Sequence, residues 1–248
     1  MEHDPSRVLH RYRQPPDTEA AAFITAMLSF GRRDLFLQKV DCLLELADRC
    51  GGPASWLASG LHRKTFPPAA AFPQDKFYRF YSYHDLHLLL CRLESIFQEA
   101  GSLGEFLRRR HKSCRGCEPA DCTAAEKPPL HLAELVAAAF PSCRIVPKGR
   151  DSANKRVHMF LRWMVRRNSP VDVGLWSWYS PADLLIPLDT HVLRQSVELG
   201  LLPPKARGTA ATARQLTEIL AKVWPNDPCR GDFALFGLGI DGKEVGDG

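Results

Sequence analysis

Ile186-Pro187-Leu188-Asp189-Thr190-His191-Val192-Leu193-Arg194, closing on Glu198-Leu199-Gly200-Leu201, is the most informative stretch of this 248-residue chain. An apolar, proline-bounded approach ends on a carboxylate, and the periodicity that follows is that of a helix stopping at Gly200. An aspartate there accepts backbone N–H bonds and is favoured by the helix dipole, so it stays ionised and rigidly aimed. Two readings are open for Asp189. It is an ordinary helix cap, or it is a catalytic acid held in place by the same bonds.

Working outward, helical periodicity dominates and strand-like alternation is scarce. Pro15-Pro16 opens a helix with Asp17 as its expected N-cap, an apolar face of Ala21, Phe23, Ile24, Met27 and Leu28, and Gly31 as its end. A second helix is expected from about Asp34 to the Gly51-Gly52-Pro53 break. Residues 59–76 hold Pro67, Pro68 and Pro73 and read as an irregular loop, with Phe77, Tyr78, Phe80, Tyr81 and Tyr83 crowded just after it. Further helices are expected at His84 to Ala100 (stopped by Gly101), after Ser102, at Leu130 to Phe140, at Lys155 to Arg167, at Ala210 to Val223 and at Asp232 to Leu238. Ser180-Pro181-Ala182-Asp183 is a helix-start signature in a short segment that Pro187 interrupts. The expected class is all-α, as one large domain or two tightly packed lobes.

The charge balance, 33 Lys and Arg against 28 Asp and Glu, leaves +5. That suits a polyanion partner without requiring one. The cations cluster at Arg108-Arg109-Arg110-His111-Lys112 and at Lys155-Arg156 with Arg162, Arg166 and Arg167, although a solvated helix face explains such runs equally. No stretch reaches the ~18 consecutive apolar residues of a transmembrane helix. The polar Met1-Glu2-His3-Asp4-Pro5 start has no signal-peptide core, so a cytoplasmic protein with reduced thiols is expected. No glycine-rich phosphate loop is present.

Leu-Asp-Thr-His-Val-x-Arg at 188–194, followed by Leu-Gly-Leu at 199–201, resembles the signature around the catalytic aspartate of helix-hairpin-helix DNA glycosylases. Residues 16–29, Pro-Asp-Thr-Glu-Ala-Ala-Ala-Phe-Ile-Thr-Ala-Met-Leu-Ser, are similar to the opening helix of that superfamily. Three segments, at 155–166, 186–191 and 232–240, also look like an uncharacterised bacterial family known only as a domain of unknown function. The superfamily resemblance implies a two-lobed helical bundle with the active-site cleft between its lobes. The Leu-Pro-Gly-Val-Gly hairpin usual there is missing. Residues 146–154, Val-Pro-Lys-Gly-Arg-Asp-Ser-Ala-Asn, stand in its place, so an atypical hairpin is expected.

Bifunctional glycosylases add to the aspartate a lysine amine that attacks the sugar C1′. Such an amine must be neutral, which burial, positive charge or a helix start favours. Lys155 opens a helix beside Arg156 and is the candidate nucleophile. Its separation from Asp189, 34 positions, is more like that of the archaeal 8-oxoguanine branch than the common one. Facing phosphate or solvent is the alternative role. A flipped base needs a stacking pocket, for which Trp163, Trp176, Trp178 and Tyr179 are candidates, with Phe77, Tyr78 and Tyr81 as others; core packing is the competing reading of each. His191, Arg194, Arg156, Arg162 and Lys148 are candidate DNA contacts.

His111-x-x-Cys114-x-x-Cys117-x4-Cys122 lies in a Cys-rich loop (111–129) and has the spacing of a structural zinc set, an iron–sulfur ligand set or simply free surface thiols. No cofactor is otherwise required. Together these readings predict a monomeric, nucleoid-associated DNA glycosylase, with or without AP-lyase activity, acting on a modified base in double-stranded DNA. The alternative is a non-catalytic nucleic-acid-binding module that keeps the fold.

Overall fold

The computed structural model describes residues 4–67, 75–115, 131–232 and 234–235. The described chain is mostly helical, as expected, and divides into two compact units, Met1–Pro147 and Lys148–Gly248.

The first unit is built around α1 (Pro15–Leu28), whose residues from Thr18 to Leu28 are all buried. A helix apolar on every side belongs at the centre of a bundle. A 3₁₀ turn (Pro5–His10), α2 (Arg33–Asp48) and α3 (Pro53–Ala58) pack around it. The turn is tied to α2 by Arg7–Asp41 and Arg11–Asp48 ion pairs. α4 (His62–Thr65) falls within the stretch that was expected to be loop throughout. The hairpin β1 (Lys76–Tyr78) and β2 (Tyr81–Ser82) was not expected either; its aromatics fold onto Phe30, and Tyr78 donates to the Phe30 carbonyl at 2.6 Å. α5 (Tyr83–Ala100) opens on a Ser82–Asp85 capping box and ends on Gly101 in the left-handed conformation. α6 (Leu103–Arg115) and α7 (Leu132–Ala139) complete the unit.

Asp17 does not cap its own helix. Gln14 holds the N-cap position and Pro15-Pro16 the first turn, where missing N–H groups cost nothing. The Asp17 carboxylate instead accepts from the Ala54 N–H at 2.8 Å and so caps α3. Glu19, buried two residues on, accepts from the Gly104 N–H at 2.8 Å at the start of α6. The central helix thus supplies acids to the exposed starts of its neighbours.

The second unit holds α8 (Lys155–Val165), a 3₁₀ turn (Pro181–Asp183), α9 (Thr190–Glu198) and α10 (Ala210–Ala221). Its core joins Ala153, Ile186, Leu188, Val192, Leu202, Ala213, Leu216, Leu220 and Leu235. Residues 173–176 return across the end of α8, where the Val173 and Gly174 N–H groups bond the Trp163 carbonyl and the Trp176 N–H bonds that of Met164. These bonds satisfy carbonyls that a helix end leaves open. No helix among the described residues is long and apolar enough to cross a membrane.

Gly52, at φ +104°, precedes α3, and a β-carbon there would lie 2.7 Å from Asp17 Oδ1. Gly52→Ala therefore combines backbone strain with loss of the α3 cap and is expected to lower stability by about 2–4 kcal/mol. Gly101→Ala, also at positive φ but with nothing within 4 Å of the new carbon, carries the strain alone, about 1 kcal/mol. Urea denaturation of both variants checks this; equal costs would show that the Asp17 contact contributes nothing.

Candidate active site

Two anchor points in the second core bring Lys155 and Asp189 together. Ala153, two residues before Lys155, and Leu188, the residue before Asp189, are buried in the same cluster. The loop before α8 is closed on itself by Asn154 Nδ2 donating to the Gly149 carbonyl at 2.8 Å. It is tied to the start of α10 by a Ser152–Thr209 bridge and by the Ala210 N–H on the Asp151 carbonyl at 2.9 Å. Before Asp189, the Ile186 N–H donates to Thr217 Oγ1 at 3.1 Å, which pins the approach to α9 against α10. Both residues therefore emerge from one packed frame, each at the first turn of its helix.

Asp189 is the N-cap of α9, and its two oxygens do different work. Oδ1 accepts from the His191 N–H at 2.9 Å and from the Val192 N–H at 2.8 Å. Oδ2 lies 3.0 Å from Lys155 Nζ. Burial would raise the Asp189 pKa, but the Lys155 charge and the two amides outweigh it and hold the carboxyl below its ordinary range. The lysine side chain is 42% exposed against 15% for the aspartate, so a fixed carboxylate faces a reachable amine.

Asn154, which precedes Lys155, sits in the left-handed region at φ +44°, where asparagine is among the few residues commonly found. Its Oδ1 is buried without a hydrogen-bond partner. A strained residue with an unsatisfied acceptor beside the lysine marks this loop as more than a connector.

Behind the pair runs a buried ion network. Arg162 bonds Asp172 at 3.2 Å and contacts Asp232, while Arg166 bonds Asp172 at 2.7 Å and Asp227 at 2.9 Å. Burial pushes the Asp232 carboxyl up against the pull of Arg162, and the charges of Asp189 and Lys155 are both felt there.

Residues 4–241 match the family described as "Protein of unknown function (DUF2400)". The chain belongs to that family. Neither the curated proteins nor the solved structures contain a match.

The placement of the other expected site residues in this family member divides sharply. Arg162, expected at DNA, is instead 8% exposed and held by carboxylates in the interior. Trp163 and Trp176, expected to stack a base, are each 1% exposed. Trp176 packs edge-on against Phe160 and stacks with Trp178 at 5.7 Å, leaving the half-buried Trp178 as the accessible tryptophan of the three. Tyr179 is buried. In the first unit Phe77, Tyr78 and Tyr81 are buried as well, so the core-packing reading holds for them. Lys148 and His191 are exposed and Arg156 is half-buried. Arg194 is exposed and lies 3.6 Å from Glu198, one turn on.

The basic run on α6 is matched by acids: Arg108 and Arg109 both bond Glu105, and Arg110 lies 3.4 Å from Glu99 with its guanidinium over the Phe106 ring. His111 lies on α6, Cys114 has its side chain outside the described residues, and Cys117 and Cys122 lie outside them entirely. Sequence reasoning assigned no role to Asp172 and Asp227, and to Asp232 only that of a helix start. The available signal was Arg162 and Arg166, four apart and interleaved with the apolar Phe160, Leu161, Trp163, Met164 and Val165, a setting in which an arginine needs buried counter-ions.

Asp172 bonds both buried arginines, and removing it deprives each of a charge-assisted hydrogen bond while Arg162 keeps Asp232 and Arg166 keeps Asp227. Asp172→Ala is expected to lower stability by about 2–4 kcal/mol, read from urea unfolding. At Asp189 the folded pKa lies below the unfolded one, so its stabilising contribution is full above the unfolded value and is lost as pH falls through the folded value. The stability difference between wild type and Asp189→Asn is therefore expected to be level near neutrality and to close below about pH 4. A difference that persists at pH 2 would show that the charge is not its source.

Proposed function

We propose that this protein is a DNA glycosylase with associated lyase activity, acting on a modified base in double-stranded DNA. The observation that carries the proposal is the 3.0 Å contact between Lys155 Nζ and Asp189 Oδ2, two helix-start residues 34 positions apart. The Leu-Asp-Thr-His-Val-x-Arg resemblance supports it from the sequence.

In this reading Lys155, as the free amine, bonds to the sugar C1′ while the N-glycosidic bond breaks and the base leaves with the bonding pair. Asp189 lies within proton-transfer reach of that nitrogen. Its carboxylate, already fixed by two amides, stabilises the positive charge that develops on the sugar without reorganising. Ring opening then gives a Schiff base, and β-elimination breaks the strand on its 3′ side. Lys148, Arg156, His191 and Arg194, all on the same unit, supply candidate backbone contacts, and Trp178 the candidate stacking surface.

Borohydride trapping on duplex oligonucleotides carrying oxidised, deaminated or abasic sites tests this. A covalent adduct is expected with wild type and none with Lys155→Gln, while Asp189→Asn slows base release by about 100-fold or more. Base release that persists in Lys155→Gln without an adduct would reduce the proposal to a glycosylase using water. Salt-sensitive binding with no product from any lesion would overturn it in favour of a binding module.

A further inference from the structure

A second group of chemistry-bearing side chains lies in the first unit, on α4 and α5. His87, Cys91 and Glu94 recur at i, i+4 and i+7 and so share one face of α5. His62 on α4 meets that face: one ring nitrogen from each histidine and Cys91 Sγ all lie within 4.8 Å of one another. Within the group, Cys91 Sγ is 3.3 Å from His87 Nε2.

The state of His62 is the decisive feature. It is fully buried, and its Nε2 lies 2.8 Å from Glu94 Oε2. Glu94 is itself held by Arg63 Nε at 2.8 Å and by Gln98 Nε2 at 3.4 Å. An ionised carboxylate only accepts, so the imidazole proton must be on Nε2 and the lone pair on Nδ1. Nδ1 is buried and has no hydrogen-bond partner. A buried lone pair without a partner is costly, and a carboxylate that fixes the far side of an imidazole is the usual outer shell of a metal-ligating histidine.

We propose that His62, His87 and Cys91 bind a zinc ion, with Glu94 orienting His62 from outside the coordination shell. Two imidazoles and a thiolate suit zinc, whereas magnesium and calcium require oxygen donors. Tetrahedral zinc places two nitrogens and a sulfur about 3.3–3.6 Å apart, so the cluster, within 4.8 Å, needs a contraction of up to about 1.5 Å. His87 and Cys91 are only half-buried, which leaves the fourth position open to water or to an external ligand. Burial keeps both imidazoles below their ordinary pKa and therefore neutral, the form that ligates. Burial also raises the Cys91 thiol, so zinc must displace its proton. Nothing in this proposal depends on the glycosylase reading.

Full-length protein stripped with a chelator, then titrated with Zn²⁺ against a chromophoric competitor and separately with Co²⁺, provides the test. The Cys-rich loop on 111–129 could also take the metal, so the variants are His87→Ala, Cys91→Ala and a triple Cys114→Ala, Cys117→Ala, Cys122→Ala chain. Wild type is expected to bind Zn²⁺ and to give, with Co²⁺, a thiolate-to-metal charge-transfer band with tetrahedral d–d intensity. Cys91→Ala and His87→Ala each lose one equivalent and that band, while the triple variant keeps both. Glu94→Gln is expected to weaken binding by 10- to 100-fold, taking about that range from outer-shell substitutions generally. No competitive binding by wild type, or a stoichiometry and band left unchanged by Cys91→Ala, would overturn the proposal. The cobalt spectrum of the triple variant, which lacks the loop thiols, answers the question even if His87→Ala or Cys91→Ala fails to fold.

Discussion

Short helices begin often, and each beginning exposes N–H groups that the helix itself cannot satisfy. In this protein carboxylates answer that demand repeatedly. Asp17 and Glu19 reach from the buried α1 to the starts of α3 and α6, Asp85 closes the box at α5, and Asp189 caps α9. The first two are long-range bonds, 37 and 85 positions in span, so they fix how helices pack as well as where they start. A central helix apolar enough to be surrounded would otherwise have no directional grip on its neighbours. Its two acids provide one.

Asp189 follows the same rule. It satisfies two amides with one oxygen and turns the other to Lys155 at 3.0 Å, a closer contact than that of the capping acid Asp85, whose second oxygen lies 3.6 Å from the exposed Arg144. A lysine–carboxylate pair whose amine is 42% exposed is screened by solvent and contributes little to stability, on the order of 1 kcal/mol. Stability is therefore a weak reason for the two helix starts to be anchored in one core so that these side chains meet. The strained Asn154 beside Lys155 points the same way, because a left-handed residue with an unsatisfied acceptor lowers stability locally.

Local signals in the sequence were read well and distant ones poorly. The helical class, the Asp189 cap, the opening of α8 at Lys155 and the Gly101 stop all follow from residues within one turn of each other. Asp17 was expected to cap the nearest helix, but two prolines make that helix start nearly self-sufficient, and the acid serves Ala54 instead. Arg162 was expected at DNA, and the tryptophans were candidates for a stacking pocket with core packing as the competing reading. The burial of Arg162 rests on Asp172 and Asp232, 10 and 70 positions away, partners that no local pattern identifies. The His62 cluster was missed for a similar reason. Its ligand spacing, 25 positions and then four, matches no recognised metal motif, and only the packing of α4 on α5 unites it.

The buried arginines also change how the protein's charge should be counted. Arg162 and Arg166 are paired inside with three aspartates, and the three arginines of the α6 run contact two acids, Glu99 and Glu105. These acids offset part of the charge of the two clusters that first suggested a polyanion, which keep a smaller positive excess. In the second unit the exposed Lys148 and Arg194 are the candidates for phosphate contact, because Arg162 and Arg166 are committed to interior carboxylates. In the proposed reaction, selectivity would have to be obtained at the base. The Lys155–Asp189 pair would not meet that demand alone, because its carboxylate and amine would act on the sugar and read nothing of the base. Discrimination must lie in what borders the pair, and among the described aromatic candidates of the second unit Trp178 has the exposure to take part.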